Sequence, residues 1–139
     1  INRAESLNRW KRKKTHTKKL RIHGYKESDD MNDPLYIYGT DRDSVLGLAV
    51  SRPELSEMIS LKLKIIKAQV VWAVREEMAV TVEDFLSRRT RCQLLDARES
   101  ILMAPKVARL MATELGKNEA WEQEQIVNYE LVTRNYISM

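Results

Sequence analysis

Apolar residues recur at helical spacing through the second half of the chain. The clearest run consists of Ala104, Val107, Ala108, Met111 and Leu115. These positions follow the order i, i+3, i+4, i+7 and i+11, which places all of them on one face of an α-helix. Gly116 stands directly after the run and can end the helix in the left-handed conformation. The pattern predicts a long amphipathic helix and favours a helical fold.

The composition agrees with this expectation. Only 4 Gly and 3 Pro occur among the 139 residues, of which 43% are hydrophobic and 32% charged. This profile is typical of a soluble helical domain rather than of a β-sandwich, a barrel or a disordered segment. We therefore predict an all-α fold for residues 35–139, a compact bundle of about five to six helices. Residues 1–34 are predicted to form an irregular basic linker and the end of an upstream helix.

Two short helices are predicted at the start of the bundle. Thr40 and Asp43 have the spacing of a capping box and predict a helix over about 41–50. Pro53 suits the first turn of the second helix. The apolar residues of that second helix are Leu55, Met58 and Ile59.

A largely buried helix is predicted next, over about 65–79. One face of it holds Ile66, Val70, Ala73, Val74 and Glu77. Val71, Trp72 and Met78 widen the apolar arc.

Later helix starts are marked by Thr81 with Asp84, by Asp96 with Glu99, and by Asn118 as an N-cap. The residues expected to line one side of the last helix are Trp121, Tyr129, Val132 and Tyr136.

Positive charge is concentrated at the start of the chain. Residues 1–26 hold ten Lys or Arg and a single acidic residue, Glu5, whereas the whole chain carries a net charge of only +4. The run Lys11–Lys14 could bind an anionic membrane surface or nucleic acid phosphates, or it could belong to a solvated linker. Because no zinc-finger spacing, GxxG loop or aromatic sheet signature follows, we expect no nucleic acid partner.

Motifs for catalysis or cofactor binding are missing from the sequence. The glycines are scattered, so no glycine-rich turn can approach a dinucleotide, and there is no GxSxG, HExxH or phosphate-binding loop. The single cysteine, Cys92, excludes an internal disulfide and is expected to be a buried thiol. We assign no catalytic, cofactor-binding or metal-binding residue and expect the isolated chain to be inactive.

A dense block of charge lies among apolar residues between Arg75 and Arg98. Charges embedded in this way need partners or must face another domain. Two interpretations stay open, namely a network of salt bridges inside the bundle and a surface that docks another domain or contacts an anion. The candidate residues are Arg75, Glu77, Glu83, Asp84, Arg88, Arg89, Arg91 and Asp96.

The same block carries a family resemblance. The segments concerned are 70–91 (VVWAVREEMAVTVEDFLSRRTR), 94–100 (LLDARES), 104–108 (APKVA) and 111–116 (MATELG), preceded by 20–24 (LRIHG), 38–41 (YGTD) and 53–55 (PEL). Together they resemble the C-terminal domain of FAD-dependent glycerol-3-phosphate dehydrogenases and the related alpha-glycerophosphate oxidases. The chain departs from the family at Val80, where Arg is more common, so the resemblance assigns no role to that side chain.

The resemblance implies what the chain belongs to. The parent protein would oxidise glycerol 3-phosphate to dihydroxyacetone phosphate with FAD, and the flavin would lie in a domain upstream of this chain. The chain opens at Ile1 without an initiator Met, as expected of a piece of a longer protein. The eight charged candidates would then dock the bundle against the FAD-binding domain and shape the approach to its active site.

The resemblance also implies a location in the cytoplasm, with peripheral binding to the cytoplasmic face of the membrane. The alternative function is a helical interaction module that binds an anionic membrane surface or an acidic partner through its basic N-terminal segment. The sequence does not distinguish a dehydrogenase from an oxidase and does not indicate the oligomeric state.

Overall fold

The computed structural model describes Leu7, residues 16–27, Asp30 and residues 33–137. Apart from Leu7, residues 1–15 lie outside the described residues, and with them lie the predicted end of an upstream helix and the Lys11–Lys14 run. The described part is dominated by helices, which confirms the all-α prediction. In chain order they are α1 (Arg42–Ser51), α2 (Lys67–Glu76), the four-residue α3 (Cys92–Leu95), α4 (Ala97–Leu115) and α5 (Glu119–Arg134). None of the described helices is long and apolar enough to cross a membrane.

Shorter elements connect these helices. They are 3-10 helices at Thr17–Lys19, Tyr36–Asp41 and Pro53–Ser56, and a π-helical segment at Asp84–Arg89. The π-helical segment lies where the sequence predicts an ordinary helix starting at Thr81.

A small β-hairpin was not expected from the sequence. Strand β1 (Met58–Ser60) pairs in antiparallel fashion with β2 (Ile65–Ile66). The prediction that Met58 and Ile59 continue the helix from Pro53 is therefore wrong. The Ser60 hydroxyl accepts a hydrogen bond from the backbone N–H of Leu63 at 3.1 Å, a local bond that competes with helix formation.

Helix α2 is shorter than predicted and ends before Met78. That residue has a left-handed φ of 55°, and the backbone N–H of Ala79 folds back to the carbonyl of Ala73 at 2.9 Å. The side chain of Met78 is 81% exposed, so the prediction that it widens the buried arc is wrong. The left-handed residue turns the chain out of the helix and directs this side chain away from the core.

Local capping signals are confirmed for the later helices. The Asp96 carboxylate accepts from the backbone N–H of Glu99 at 2.9 Å, and Asn118 accepts from that of Trp121 at 3.1 Å. Gly116 ends α4 with a φ of 64°.

The capping box at Thr81 and Asp84 is also present. The N–H of Asp84 donates to the Thr81 hydroxyl at 3.1 Å, and the N–H of Thr81 donates to the Asp84 carboxylate at 2.9 Å. The box predicted at Thr40 is not: α1 begins at Arg42 after Asp41, which makes no side-chain cap. The preceding 3-10 helix already includes Thr40, so this residue has no free helix start to cap.

The core has two parts, and α2 lies between them. Val70 and Ala73 of α2 face the larger part, which is built on Phe85 and α4, whereas Val71 faces the smaller part around Val45. The buried thiol of Cys92 belongs to the larger part, as predicted. A helix that is covered on both sides explains why the sequence from Ile66 onward is so apolar.

The buried face of α5 differs from the predicted one. Tyr129 is buried and its hydroxyl donates to Ser100 at 3.0 Å, but Val132 and Tyr136 are exposed. The next buried residue is Thr133, whose hydroxyl accepts from the Gln93 amide at 2.9 Å. The prediction missed Thr133 because apolar residues alone were taken to mark the buried face.

Candidate functional site

Two segments far apart in the sequence meet next to α2. Gly39 packs against Gly24 so closely that a Cβ at position 39 would lie 1.8 Å from the carbonyl oxygen of Gly24. Beside this contact, Nε2 of His23 lies 2.7 Å from the Asp41 carboxylate. The two segments with the family's LRIHG and YGTD motifs are thus held together by their backbones and by one side-chain pair.

A groove opens at this junction. It consists of two adjoining cavities of about 840 and 410 Å³, and both are lined by His23, Asp41, Glu77 and Arg89. Lys64 and Arg91 line the larger cavity. We refer to these six residues together as the charged groove. Three parts of the chain therefore meet at one concave surface: residues 23–24 with 33–41, the hairpin turn, and the region from the end of α2 to α3.

Backbone strain is concentrated around the charged groove. Lys64, Met78 and Arg91 have φ values of 54°, 55° and 57°, and in the described part of the chain they are the only residues other than glycine with positive φ. Met78 lines the smaller cavity, and the other two line the larger one. Such conformations cost on the order of 1–2 kcal/mol each, and here each lies at a turn: Lys64 in the hairpin turn, Met78 after α2 and Arg91 before α3.

Four of the eight predicted candidates line the larger cavity, namely Glu77, Arg88, Arg89 and Arg91, and all of these except Arg88 belong to the charged groove as defined above. Arg89 donates to the backbone carbonyl of Glu77 at 2.5 Å. The side chain of Arg91 is exposed and makes no hydrogen bond or ion pair with any described residue.

Three other candidates form a cluster on the π-helical segment. Arg88 donates to the Glu83 carboxylate at 2.7 Å and to the Asp84 carboxylate at 2.6 Å. Arg88 also lines the larger cavity, but both of its anionic partners come from its own segment.

The last two candidates pair with residues outside the charged block. Arg75 donates to Glu114 of α4 at 2.7 Å, and Glu114 also accepts from Arg52 at 3.1 Å. Asp96 forms an ion pair with Lys62 of the hairpin turn. Salt bridges within the domain thus account for Arg75, Glu83, Asp84, Arg88 and Asp96, and the docking role of the block stays a prediction.

The electrostatic environment differs between the two acidic candidates. Burial raises the pKa of Glu77, although the Arg89 charge and a hydrogen bond from Trp72 oppose this shift. For Asp84, burial also raises the pKa, but hydrogen bonds from Thr81 and Val80 and from Arg88 outweigh burial and leave the pKa lowered. Asp84 therefore stabilises its helix start as an anion, whereas Glu77 holds its charge less readily.

Sequence reasoning assigned no role to His23, Asp41 or Lys64. The first two lie in short motifs that were noticed only as part of the resemblance, and their spacing gave no sign that they would pair. Lys64 carries no sequence signal, because its position depends on a hairpin turn that the sequence did not predict.

The described residues do not fit a flavin. A dinucleotide site needs a parallel βαβ unit with a glycine-rich turn, whereas the described sheet is one short antiparallel hairpin. The part of the chain that the structure describes also has no group of three or more His, Cys, Asp or Glu placed to hold a metal ion.

Comparisons with known proteins agree with the resemblance. The family model for the C-terminal domain of alpha-glycerophosphate oxidase matches residues 8–125. A glycerol-3-phosphate dehydrogenase of Synechocystis is 35% identical over 89 residues, which cover 64% of this chain and 15% of the relative. A probable mitochondrial glycerol-3-phosphate dehydrogenase of Dictyostelium discoideum is 33% identical over 72 residues, or 52% of this chain and 11% of the relative.

Glycerol-3-phosphate dehydrogenase 2 of Mycobacterium bovis is 30% identical over 92 residues, or 66% of this chain. The chain spans only 11–16% of the length of these relatives. No solved structure matches the chain. The chain belongs to the family of C-terminal domains of alpha-glycerophosphate oxidase, since the match covers most of its length.

Proposed function

We propose that this chain is the C-terminal helical domain of an FAD-dependent glycerol-3-phosphate dehydrogenase and packs against the FAD-binding domain of the same parent protein. The family match over residues 8–125 carries this proposal. The parent would oxidise glycerol 3-phosphate to dihydroxyacetone phosphate. Because the described residues do not fit a flavin, the FAD would be held by the other domain, and this chain would contribute a docking surface.

Exposed residues around the charged groove support a docking role. Met78 and Leu95 are 81% and 71% exposed, and both border the arginines of the groove. Met and Arg are enriched in protein interfaces, and exposed apolar side chains next to unpaired arginine are typical of a surface that another domain covers. We therefore place the interdomain contact at the charged groove and not at the ion pairs of Arg75 and Asp96.

A chimera tests this proposal. The matched 89-residue stretch of the Synechocystis dehydrogenase would be replaced by the corresponding part of this chain, and glycerol-3-phosphate-dependent reduction of a dye would be measured. We expect the chimera to be active and the enzyme lacking that stretch to be inactive. An inactive chimera that is folded and binds FAD would contradict the proposal.

A matched pair of variants tests the location of the interface. In the chimera, Arg89→Met should lower the activity several-fold, whereas Arg109→Met should not, because Arg109 is an exposed residue of α4 outside the groove. Equal effects of the two substitutions would exclude the charged groove as the interface.

We also propose that the parent protein works in the cytoplasm, peripherally at the cytoplasmic face of the membrane. The single free thiol of Cys92 is consistent with a reducing compartment, and Lys11–Lys14 supplies a charge suited to anionic lipid. Flotation with vesicles of phosphatidylglycerol should recover the chain at low salt. Substitution of all four residues of this run by Gln should abolish the recovery, and unchanged recovery would refute the lipid contact.

A further inference from the structure

The side of α5 that faces away from the bundle carries two exposed apolar residues. Val127 is 62% and Leu131 is 69% exposed, although the opposite side of the same helix is held in the core by Tyr129. Glu124 and Arg134 are exposed as well. These four exposed residues follow one another at spacings of three, four and three positions, which places them on one face of the helix. We refer to Glu124, Val127, Leu131 and Arg134 together as the outer face of α5.

Contacts within the domain do not account for the outer face of α5. Glu124 makes no hydrogen bond or ion pair with any residue in the described parts of the chain. Arg134 donates from two of its nitrogens to Glu130 of the same helix, at 3.2 and 2.6 Å, and a guanidinium has further N–H donors for a second carboxylate. Three of the four residues of the face also lie beyond residue 125, where the family match ends. The match therefore assigns them no contact with an FAD-binding domain.

The outer face of α5 is complementary to itself when two copies are placed antiparallel. Along the helix it reads acid, apolar, apolar, base, and its spacing is the same in both directions. A two-fold axis midway between Val127 and Leu131 places each of them opposite the other residue in the second copy. The same axis places Glu124 opposite Arg134, and every contact occurs twice, as in an isologous dimer. A parallel pairing would instead place like charges opposite each other, which is unfavourable.

We propose that the chain forms a dimer in which the outer face of α5 packs antiparallel against the same face of a second copy. Val127 and Leu131 form the centre of the contact, and Glu124 pairs with Arg134 at both ends. The helix is only about 15 Å long between these charged ends, so the buried area is well below the roughly 800 Å² per partner of a standard interface, and we expect a weak dimer. No residue of α5 lines the charged groove, so this contact does not depend on the proposed interdomain contact.

Sedimentation equilibrium of the whole 139-residue chain tests the dimer, at concentrations up to about 1 mM because small interfaces are weak. The wild-type chain should dimerise reversibly. Glu124→Arg and Arg134→Glu should each weaken the dimer at least about tenfold, since each places like charges opposite each other at both ends of the contact. An equimolar mixture of the two variants should dimerise as the wild type does, because every Arg at the ends of the contact then faces a Glu. A mixture that stays monomeric would overturn the antiparallel contact.

Matched controls separate this face from the rest of the surface. Glu119→Arg makes the same change of charge on another side of α5 and should alter the dissociation constant by less than about twofold, since screened charges contribute little. Leu131→Ala should weaken the dimer at least about tenfold, because apolar burial is lost twice. Leu102→Ala, which truncates a leucine of similar exposure on α4, should not. Equal effects of a variant and its control would show non-specific association and overturn the proposal, and so would a wild-type chain that stays monomeric throughout.

Discussion

Three glycines of this domain form a matched series that tests the contact between residues 20–25 and the bundle. Gly39 has a φ of 51° and a ψ of −119°, and a Cβ there would meet the Gly24 carbonyl oxygen at 1.8 Å. Gly116 also has a positive φ, but a Cβ there would meet nothing within 4 Å. Gly47 lies inside α1, and its Cβ would also be in open space. Alanine at the three positions therefore separates steric overlap from backbone strain.

The expected changes in the free energy of unfolding differ in size and sign. Gly47→Ala should stabilise the domain by about 0.5–1 kcal/mol, because glycine is unfavourable inside a helix. Gly116→Ala should destabilise it by about 1–2 kcal/mol through left-handed strain alone. Gly39→Ala should cost about 2–4 kcal/mol, since its φ and ψ suit glycine only and a backbone atom must also move.

Urea denaturation measures these three values, and hydrogen exchange locates the damage. In Gly39→Ala the amides of residues 20–25 should exchange faster, because displacement of Gly24 also breaks the contact between His23 and Asp41. Gly116→Ala should leave exchange in that segment unchanged. If Gly39→Ala costs no more than Gly116→Ala and leaves residues 20–25 protected, the close approach of the two glycines is refuted.

Three further predictions concern the core and the charged residues. Tyr129→Phe should destabilise the domain by about 1 kcal/mol in denaturant titrations, because the buried bond to Ser100 is lost; no change would mean that this bond is not formed. Glu77→Gln should be more stable than the wild type at pH 7, because a raised folded-state pKa means that stability falls as pH rises above the usual value of 4.5. Thermal melts should show this difference shrinking below that pH, and a constant difference would contradict it. Arg88→Ala should lower stability by less than about 1 kcal/mol, since its ion pairs are half-exposed, and a larger loss would favour a structural role.

The parts of the fold that could be predicted are those specified by local chemistry. The side chains of Asp96 and Asn118 cap the helices that follow them, and Gly116 ends α4, because each interaction involves residues three or four positions apart. A sequence pattern contains all the information needed for such a contact.

The hairpin and the charged groove could not be predicted in the same way. The residues of β1 are apolar enough to suit a helix. Packing against α4 and the bond from Ser60 to Glu99 at 2.5 Å favour a strand, in addition to the local bond between Ser60 and Leu63. The groove forms because Gly24 packs against Gly39 and the end of α2 lies near both. These contacts depend on the tertiary arrangement, so sequence reasoning identified Arg89 and Arg91 by charge but missed Lys64 and His23.

The charged block divides into residues that form ion pairs within the domain and residues that do not. This division indicates that part of the block contacts a partner. Exposed ion pairs such as those of Arg88 contribute little to stability, so a need for stability does not explain so many charges in one block. Arg91 belongs to the block and has no side-chain partner in the described part of the chain, and it lines one cavity together with the exposed Lys64. The charged groove, and not the ion-pair network, is therefore where the contact with another domain should be sought.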